Sequence, residues 1–269
     1  MFKVISIARN TFKEVVREPV YYILTILASL MVVVARLMPL FTITEDIKMM
    51  KDIGLSTVNV TGLLIALLAA SRVVYGEIES RTAFTVVAKP VRRFQFILGK
   101  YLGIVGAVLL AVFVISLVFA AMVWWQVLDR PMPEELQAKQ QIQGLISVGL
   151  GCLLSMFQVM VLTAISVAVS VYATMVVNIG VCFSFFLLGN LSGWFLTEAL
   201  PNPETAPWAA LGARVILGLL PFLETYNLQA LALGTKIPLS YVLLAFAYAV
   251  YYSAAALIVG MALFQRREL

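Results

Sequence analysis

Long apolar runs with few charges alternate with short polar segments along the whole chain. A bilayer-spanning helix needs about 20 mostly apolar residues, and six runs reach that length. They lie at residues 20–43, 53–75, 101–125, 144–171, 175–196 and 239–264. The fourth and fifth runs share one uncharged stretch, 140–197, which we divide at the polar cluster around Tyr172. The pattern predicts an all-α integral membrane protein with six transmembrane helices.

Residues 1–19 carry a helical pattern of their own. At 100° per residue, apolar side chains gather on one face and polar ones on the opposite face. The apolar face holds Ile5, Ala8, Phe12, Val15 and Val16, and the polar face holds Lys3, Asn10, Lys13, Glu14 and Arg17. Because no other segment is evident that would cover the apolar face, we predict an in-plane elbow helix that ends before Pro19. A solvated helix outside the membrane is the alternative.

The sequence patterns of two connecting segments predict further short helices. The segment 76–100 is the most charge-dense part of the chain, and its Glu77 and Arg81 have the spacing of a helical ion pair, so we expect a short coupling helix there. A plain loop whose basic residues contact anionic lipid headgroups is the alternative. The apolar segment 206–220 is too short to span and contains Arg214. We expect an outer re-entrant or interfacial helix between spans five and six.

Lysine and arginine are unevenly distributed between the two sets of loops. The terminal segments and the 76–100 loop hold about twice as many of them as the opposite loops, and such an excess marks the cytoplasmic side. The four tryptophans fall near the opposite ends of the predicted spans, as expected of aromatic side chains at an interface. We therefore expect a multi-pass protein of the inner (cytoplasmic) membrane with both termini in the cytoplasm.

The composition excludes several classes of function. The 269 residues are 62% hydrophobic and 12% charged, and the mean hydropathy is +0.99. These values indicate a single transmembrane domain over 1–269, whose net charge of +5 reflects topology rather than nucleic-acid binding. Histidine is absent, and the two cysteines lie in apolar runs. We therefore predict no catalytic residue, no metal site, no cofactor bound by this chain and no nucleic-acid partner.

Several short motifs resemble one family. The segment after the second run contains Gly76-Glu77-Ile78-Glu79, Arg81-Thr82, Ala88-Lys89-Pro90-Val91 and Leu98-Gly99-Lys100. The chain opens with Ile7-Ala8-Arg9 and Phe12-Lys13-Glu14, and it closes with Phe264-Gln265-Arg266-Arg267-Glu268-Leu269. Together with the six runs, these motifs resemble the permease subunits of type-2 ABC exporters, the ABC-2 type permease family, over essentially the whole chain.

The resemblance implies a permease that forms a translocation path and couples it to ATP hydrolysis by a separate ATPase subunit. It implies two ATPase copies, which hold ATP and Mg, and a second permease copy, either identical or a close paralogue. The docking loop would use Glu77, Glu79, Arg81, Thr82, Lys89 and Pro90. The chain itself has no phosphate-binding motif, because Phe94 stands where a glycine would precede Gly99-Lys100. It would therefore not be an enzyme.

Polar groups inside the predicted spans are costly and are candidates for function. The candidates for the translocation path are Arg36, Gln158, Asn178 and Asn190. Arg36 has the alternative of reaching the outer interface or pairing with Glu45 or Asp46, and the three amides have the alternative of hydrogen-bonding between helices. Gly189 and Gly193 have the spacing of a close helix contact, either with a second copy or within the chain.

Two other classes of function are alternatives to the permease. An ion-coupled secondary transporter needs an acidic residue near the bilayer midplane, and we expect every carboxylate, including that of Glu224, in a loop or at an interface. A membrane-embedded enzyme would need a base or a carboxylate pair, which the spans do not offer. The identity of the substrate stays open.

Overall fold

The computed structural model describes residues 2–36, 46–79, 93–128, 134–194, 220–227 and 238–266, and all regular secondary structure in this part of the chain is helical. The helices are α1 (Phe2–Arg17), α2 (Pro19–Ala35), α3 (Asp46–Ala70), α4 (Gly76–Glu79), α5 (Arg93–Leu128), α6 (Glu134–Ser170), α7 (Met175–Asn190), α8 (Ser192–Trp194) and α9 (Leu239–Arg266). A π-helical turn, Ser71–Tyr75, joins α3 to α4, and a 3₁₀ turn covers Leu223–Tyr226.

Four helical segments in the described residues are long and apolar enough to cross a membrane. They are Met49–Tyr75, Phe94–Gln126, Gly144–Ser170 and Leu239–Phe264, which confirms long apolar helices at four of the six predicted positions. The protein is therefore membrane-embedded. One predicted boundary is wrong: α5 begins at Arg93, so residues 93–100 of the expected loop are helical, and they extend the third run at its N-terminal end.

The other two predicted spans correspond to shorter helices. α2 has 17 residues, and the rest of the run 20–43 lies outside the described residues beyond Arg36. α7 has 16 residues and ends at Asn190, so the run 175–196 is not one continuous helix. Leu191 separates α7 from the short α8, whose Ser192 hydroxyl donates back to the Gly189 carbonyl. Residues 195–219, which include most of the expected re-entrant segment, also lie outside the described residues.

We call the two ends of the bundle proximal and distal. The proximal end holds α1, α4, the start of α5 and the end of α9, where Phe96 stacks on Phe264. The distal end holds Arg36, the end of α5 and the starts of α6 and α9. At the centre, α3 packs closely on α5 and α6 because Gly54 faces Phe119 while Gly62 faces Val112 and Val159. Large aliphatic side chains on the outside, such as Ile26 and Leu244, are exposed, as expected for contact with lipid.

Helix α1 ends at Arg17, Glu18 is extended, and the axis turns by 64° into α2, in agreement with the predicted effect of Pro19. The prediction that no other segment covers α1 is wrong, because α5 packs against one side of this helix. Gly99 meets Ile7, and a side chain at Gly103 would lie 2.6 Å from the carbonyl oxygen of Ala8. The glycine spacing on α5 therefore lets the backbone of α1 approach closely.

Candidate functional site

A buried lysine joins three helices at the proximal end. The side chain of Lys100 on α5 is 4% exposed, and its Nζ lies 2.7 Å from Oε1 of Glu77 on α4. The same Nζ lies 3.6 Å from Oε2 of Glu14 on α1 and 5.7 Å from the centre of the Phe96 ring. A buried ammonium is stable only when it is paired. These three side chains, Glu14, Lys100 and Glu77, form what we call the proximal ion cluster.

The cluster depends on the glycines that bring α1 onto α5. Gly99 and Gly103 flank Lys100, so α1 lies close enough for Glu14 to reach it. Glu77 was predicted as a docking residue, but its carboxylate is held within the chain and is 27% exposed. Glu79 is the last residue of α4. The other predicted docking residues, Arg81, Thr82, Lys89 and Pro90, lie outside the described residues.

Asn178 connects three helices further inside the bundle. It is fully buried, and its Nδ2 donates to Oγ of Ser71 at 2.8 Å and to Oγ of Ser166 at 2.9 Å. Its Oδ1 accepts a hydrogen bond from Sγ of Cys182 at 3.3 Å. The contacts link the π turn, α6 and α7. The Asn178 amide therefore forms hydrogen bonds between helices, which was the predicted alternative to lining the translocation path.

Gln158 and Asn190 form a second polar contact between α6 and α7. Nε2 of Gln158 donates to Oδ1 of Asn190 at 3.4 Å, and Nδ2 of Asn190 donates to the carbonyl of Phe186. Gln158 is 1% exposed, and its Oε1 has no hydrogen-bond partner among the described residues. The structure brings these two predicted residues together, but it buries Gln158 instead of exposing it to an open channel.

Arg36 lies at the distal end and not in the interior. It follows the last residue of α2, and its guanidinium carbon lies 5.9 Å from the centre of the Trp125 ring on α5. That distance is within the range of a cation–π contact. Glu45, one of its predicted acidic partners, lies outside the described residues. The position of Arg36 agrees with the alternative in which it reaches the interface.

Gly189 and Gly193 both contact the 3₁₀ turn of the same chain. A side chain at Gly189 would lie 2.8 Å from Leu223 and from the carbonyl oxygen of Pro221, and the carboxylate of Glu224 occupies the space beside Gly193. The glycine spacing therefore did indicate a close approach, as predicted, and the partner found in the described residues lies within the chain. Nothing in the sequence pattern identified that partner.

The 3₁₀ turn is fixed to α9 by tyrosine hydroxyls. Tyr226 donates to the carbonyl of Ala245 at 3.2 Å, Tyr241 donates to the carbonyl of Thr225 at 2.6 Å, and Tyr248 accepts from the amide of Phe222. Burial, reinforced by the two neighbouring tyrosines, raises the pKa of the Tyr226 phenol, which keeps it a neutral donor. Ala245 lies six residues into α9, so the Tyr226 hydroxyl contacts α9 about 9 Å from the start of that helix.

Glu224 lies in this 3₁₀ turn, and its carboxylate lies beside Gly193 on the short α8. Its Oε2 is buried and has no hydrogen-bond partner in the described part of the chain. The sequence did not indicate these neighbours, because they lie far from Glu224 along the chain.

Comparisons with known proteins do not identify a family. No protein-family model matches the chain, and no curated protein matches it either. The resemblance to the permeases of type-2 ABC exporters therefore stays a prediction from the motifs. A function must be argued from the arrangement of the residues described above.

Proposed function

We propose that this chain is the permease subunit of a type-2 ABC exporter. In this proposal it forms the translocation path of an inner-membrane transporter with a second permease copy, and two copies of a separate ATPase supply the energy. The single observation that carries the proposal is the proximal ion cluster, which ties the segment following α3 to α1 and α5. A permease needs such a connection between its docking segment and its spans.

The cluster is suited to transmitting force because its separation is costly. Removing one partner of a buried ion pair costs about 3–5 kcal/mol, and Lys100 is almost fully buried. A push on α4 would therefore move α1 and α5 with it instead of breaking the contact. In this reading Glu77 anchors the docking segment, and Glu79, Arg81, Thr82, Lys89 and Pro90 supply the surface that meets the ATPase.

The proposal includes the six-span topology. α2 and α7 would complete their crossings with residues 37–43 and 192–196, and the proximal end with both termini would face the cytoplasm. The apolar length of the runs and the excess of lysine and arginine near the termini support this arrangement. α1 would then follow the inner half of α5 at the cytoplasmic surface.

The test begins with affinity purification of the tagged chain from its native membrane in mild detergent. We expect an ATPase subunit with phosphate-binding motifs in stoichiometric amount and vanadate-sensitive turnover. Glu79→Lys should release the ATPase, whereas Lys100→Met should retain it with reduced turnover. The matched control is Lys51→Met, since Lys51 is a half-buried lysine that bonds Ser147 near the distal end. A chain that purifies alone from several detergents contradicts the proposal.

The buried Oε2 atom of Glu224 favours one second candidate, an ion-coupled carrier. Such carriers use acidic groups within the membrane to bind a proton or Na⁺, and Oε2 of Glu224 is buried without a hydrogen-bond partner in the described residues. The purified chain would be reconstituted alone in vesicles carrying a pH-sensitive dye. Proton flux that Glu224→Gln abolishes would support the carrier, and absence of flux beside a co-purified ATPase would exclude it.

A further inference from the structure

A π-helical turn interrupts the helical stretch that runs from Asp46 to Glu79. Ser71–Tyr75 forms the turn, and α4 follows it without a break. A π turn accommodates one residue more than an α turn, and such turns are rare and concentrate at functional positions. Because one residue of an α-helix corresponds to about 100° of rotation, the turn decides which way every later side chain faces, including Glu77.

The π turn is held from two sides. Ser71 at its start accepts a hydrogen bond from Nδ2 of Asn178, in a fully buried position. Arg72, the next residue, donates to Oε2 of Glu18 at the junction between α1 and α2, and both of these side chains are partly exposed. The buried contact is the stronger constraint, since an exposed ion pair contributes little.

We propose that the hydrogen bond from Asn178 to Ser71 is a latch that holds the π turn in place and thereby directs Glu77 toward Lys100. When the latch is closed, the proximal ion cluster forms. When it opens, the extra residue moves along the helix, and Glu77 turns away by about 100°. The start of α7 thus controls an ion pair that it does not contact.

The chemistry of Asn178 fits a latch that can open. Its amide nitrogen has two hydrogens, and each has its own acceptor, Ser71 on the π turn and Ser166 on α6. When the bond to Ser71 breaks, the bond to Ser166 still keeps the amide in place. The change is then confined to the segment that leads to α4. The inference concerns contacts within one chain, so it holds whether or not an ATPase binds.

The first test is a double-mutant cycle on the full-length chain in mixed micelles, unfolded with SDS. Glu77→Gln and Lys100→Met are introduced singly and together, first in the parent chain and then in a chain that carries Ser71→Ala. In the parent chain we expect the pair to be coupled by about tenfold in the unfolding equilibrium constant. With Ser71→Ala the coupling should fall below about twofold, because Glu77 no longer faces Lys100.

Ser166→Ala is the matched control, because it removes the other hydroxyl that Asn178 binds and leaves the π turn untouched. The coupling in that background should stay near tenfold. Equal coupling in the Ser71→Ala and Ser166→Ala backgrounds overturns the latch. If Ser71→Ala does not fold, Ser71→Cys replaces it, since a thiol has a similar size but is a much weaker hydrogen-bond acceptor than a hydroxyl.

The second measurement is independent of stability. Cysteines replace Glu77 and Lys100 in a chain whose native Cys152 is changed to alanine and whose Cys182 is changed to serine, which keeps a donor to Oδ1 of Asn178. A short bismaleimide joins the new pair. We expect rapid cross-linking with Ser71 present and at least fivefold slower cross-linking with Ser71→Ala. An unchanged rate overturns the proposal.

Discussion

Replacing Glu77 by glutamine tests the energetics of the proximal ion cluster. The change removes the carboxylate that lies 2.7 Å from Nζ of Lys100 and leaves that ammonium, 4% exposed, with Glu14 at 3.6 Å. Loss of one partner of a buried pair costs about 3–5 kcal/mol. Because Glu14 remains and Glu77 itself is 27% exposed, we expect about 2 kcal/mol of lost stability, after discounting for solvent screening.

The matched variant is Glu14→Gln, which removes the longer and more exposed contact of the same lysine. The Glu14 side chain is 42% exposed, so its loss should cost at most about 0.5 kcal/mol. Lys100→Met in the Glu77→Gln chain should recover about 1 kcal/mol, because it removes a buried charge that has lost its closer partner. The assay is SDS unfolding in mixed micelles. If Glu77→Gln lowers the free energy of unfolding by no more than Glu14→Gln does, the stabilising role assigned to the contact between Glu77 and Lys100 is refuted.

Three further predictions concern close contacts. Gly103→Val should detach α1 from α5 and expose it to protease, because the added side chain meets the carbonyl of Ala8 at 2.6 Å. Gly193→Ala should displace the 3₁₀ turn and lower the melting temperature, whereas Gly180→Ala, with open space around it, should leave it unchanged. Asn178→Leu should cost about 1–2 kcal/mol in SDS unfolding, from the loss of interhelical hydrogen bonds; a change within error would mean that Ser71 and Ser166 find other partners.

The positions of the long helices were predictable because hydropathy is a local property. Each run is long enough to span a bilayer, and its charged flanks limit its length. The boundary at Arg93 was missed for the same reason, since residues 93–100 mix charged and apolar side chains and read as a loop. Their helix is stabilised by α1 and by the stacking of Phe96 on Phe264, which are contacts far apart in sequence.

The partners of the candidate site residues could not be read from the sequence. Small-residue spacing marked Gly189 and Gly193 as places of close approach, but the same spacing serves contacts within a chain and between chains. The resemblance directed attention to Glu77 without indicating that Lys100 holds it. The π turn gave no signal, because its residues, Ser71–Tyr75, continue the apolar pattern of α3.

In the proposed permease, the buried amides constrain where a substrate could pass. Asn178 and Asn190 bond neighbouring helices, and Gln158 is 1% exposed. A path through these residues would break interhelical hydrogen bonds worth about 1 kcal/mol each in every cycle. In the proposed dimer, a path between the two copies would instead use part of the exposed surface, which is aliphatic at Val177 on α7. Such a surface would solvate an apolar or amphipathic molecule far better than a small ion.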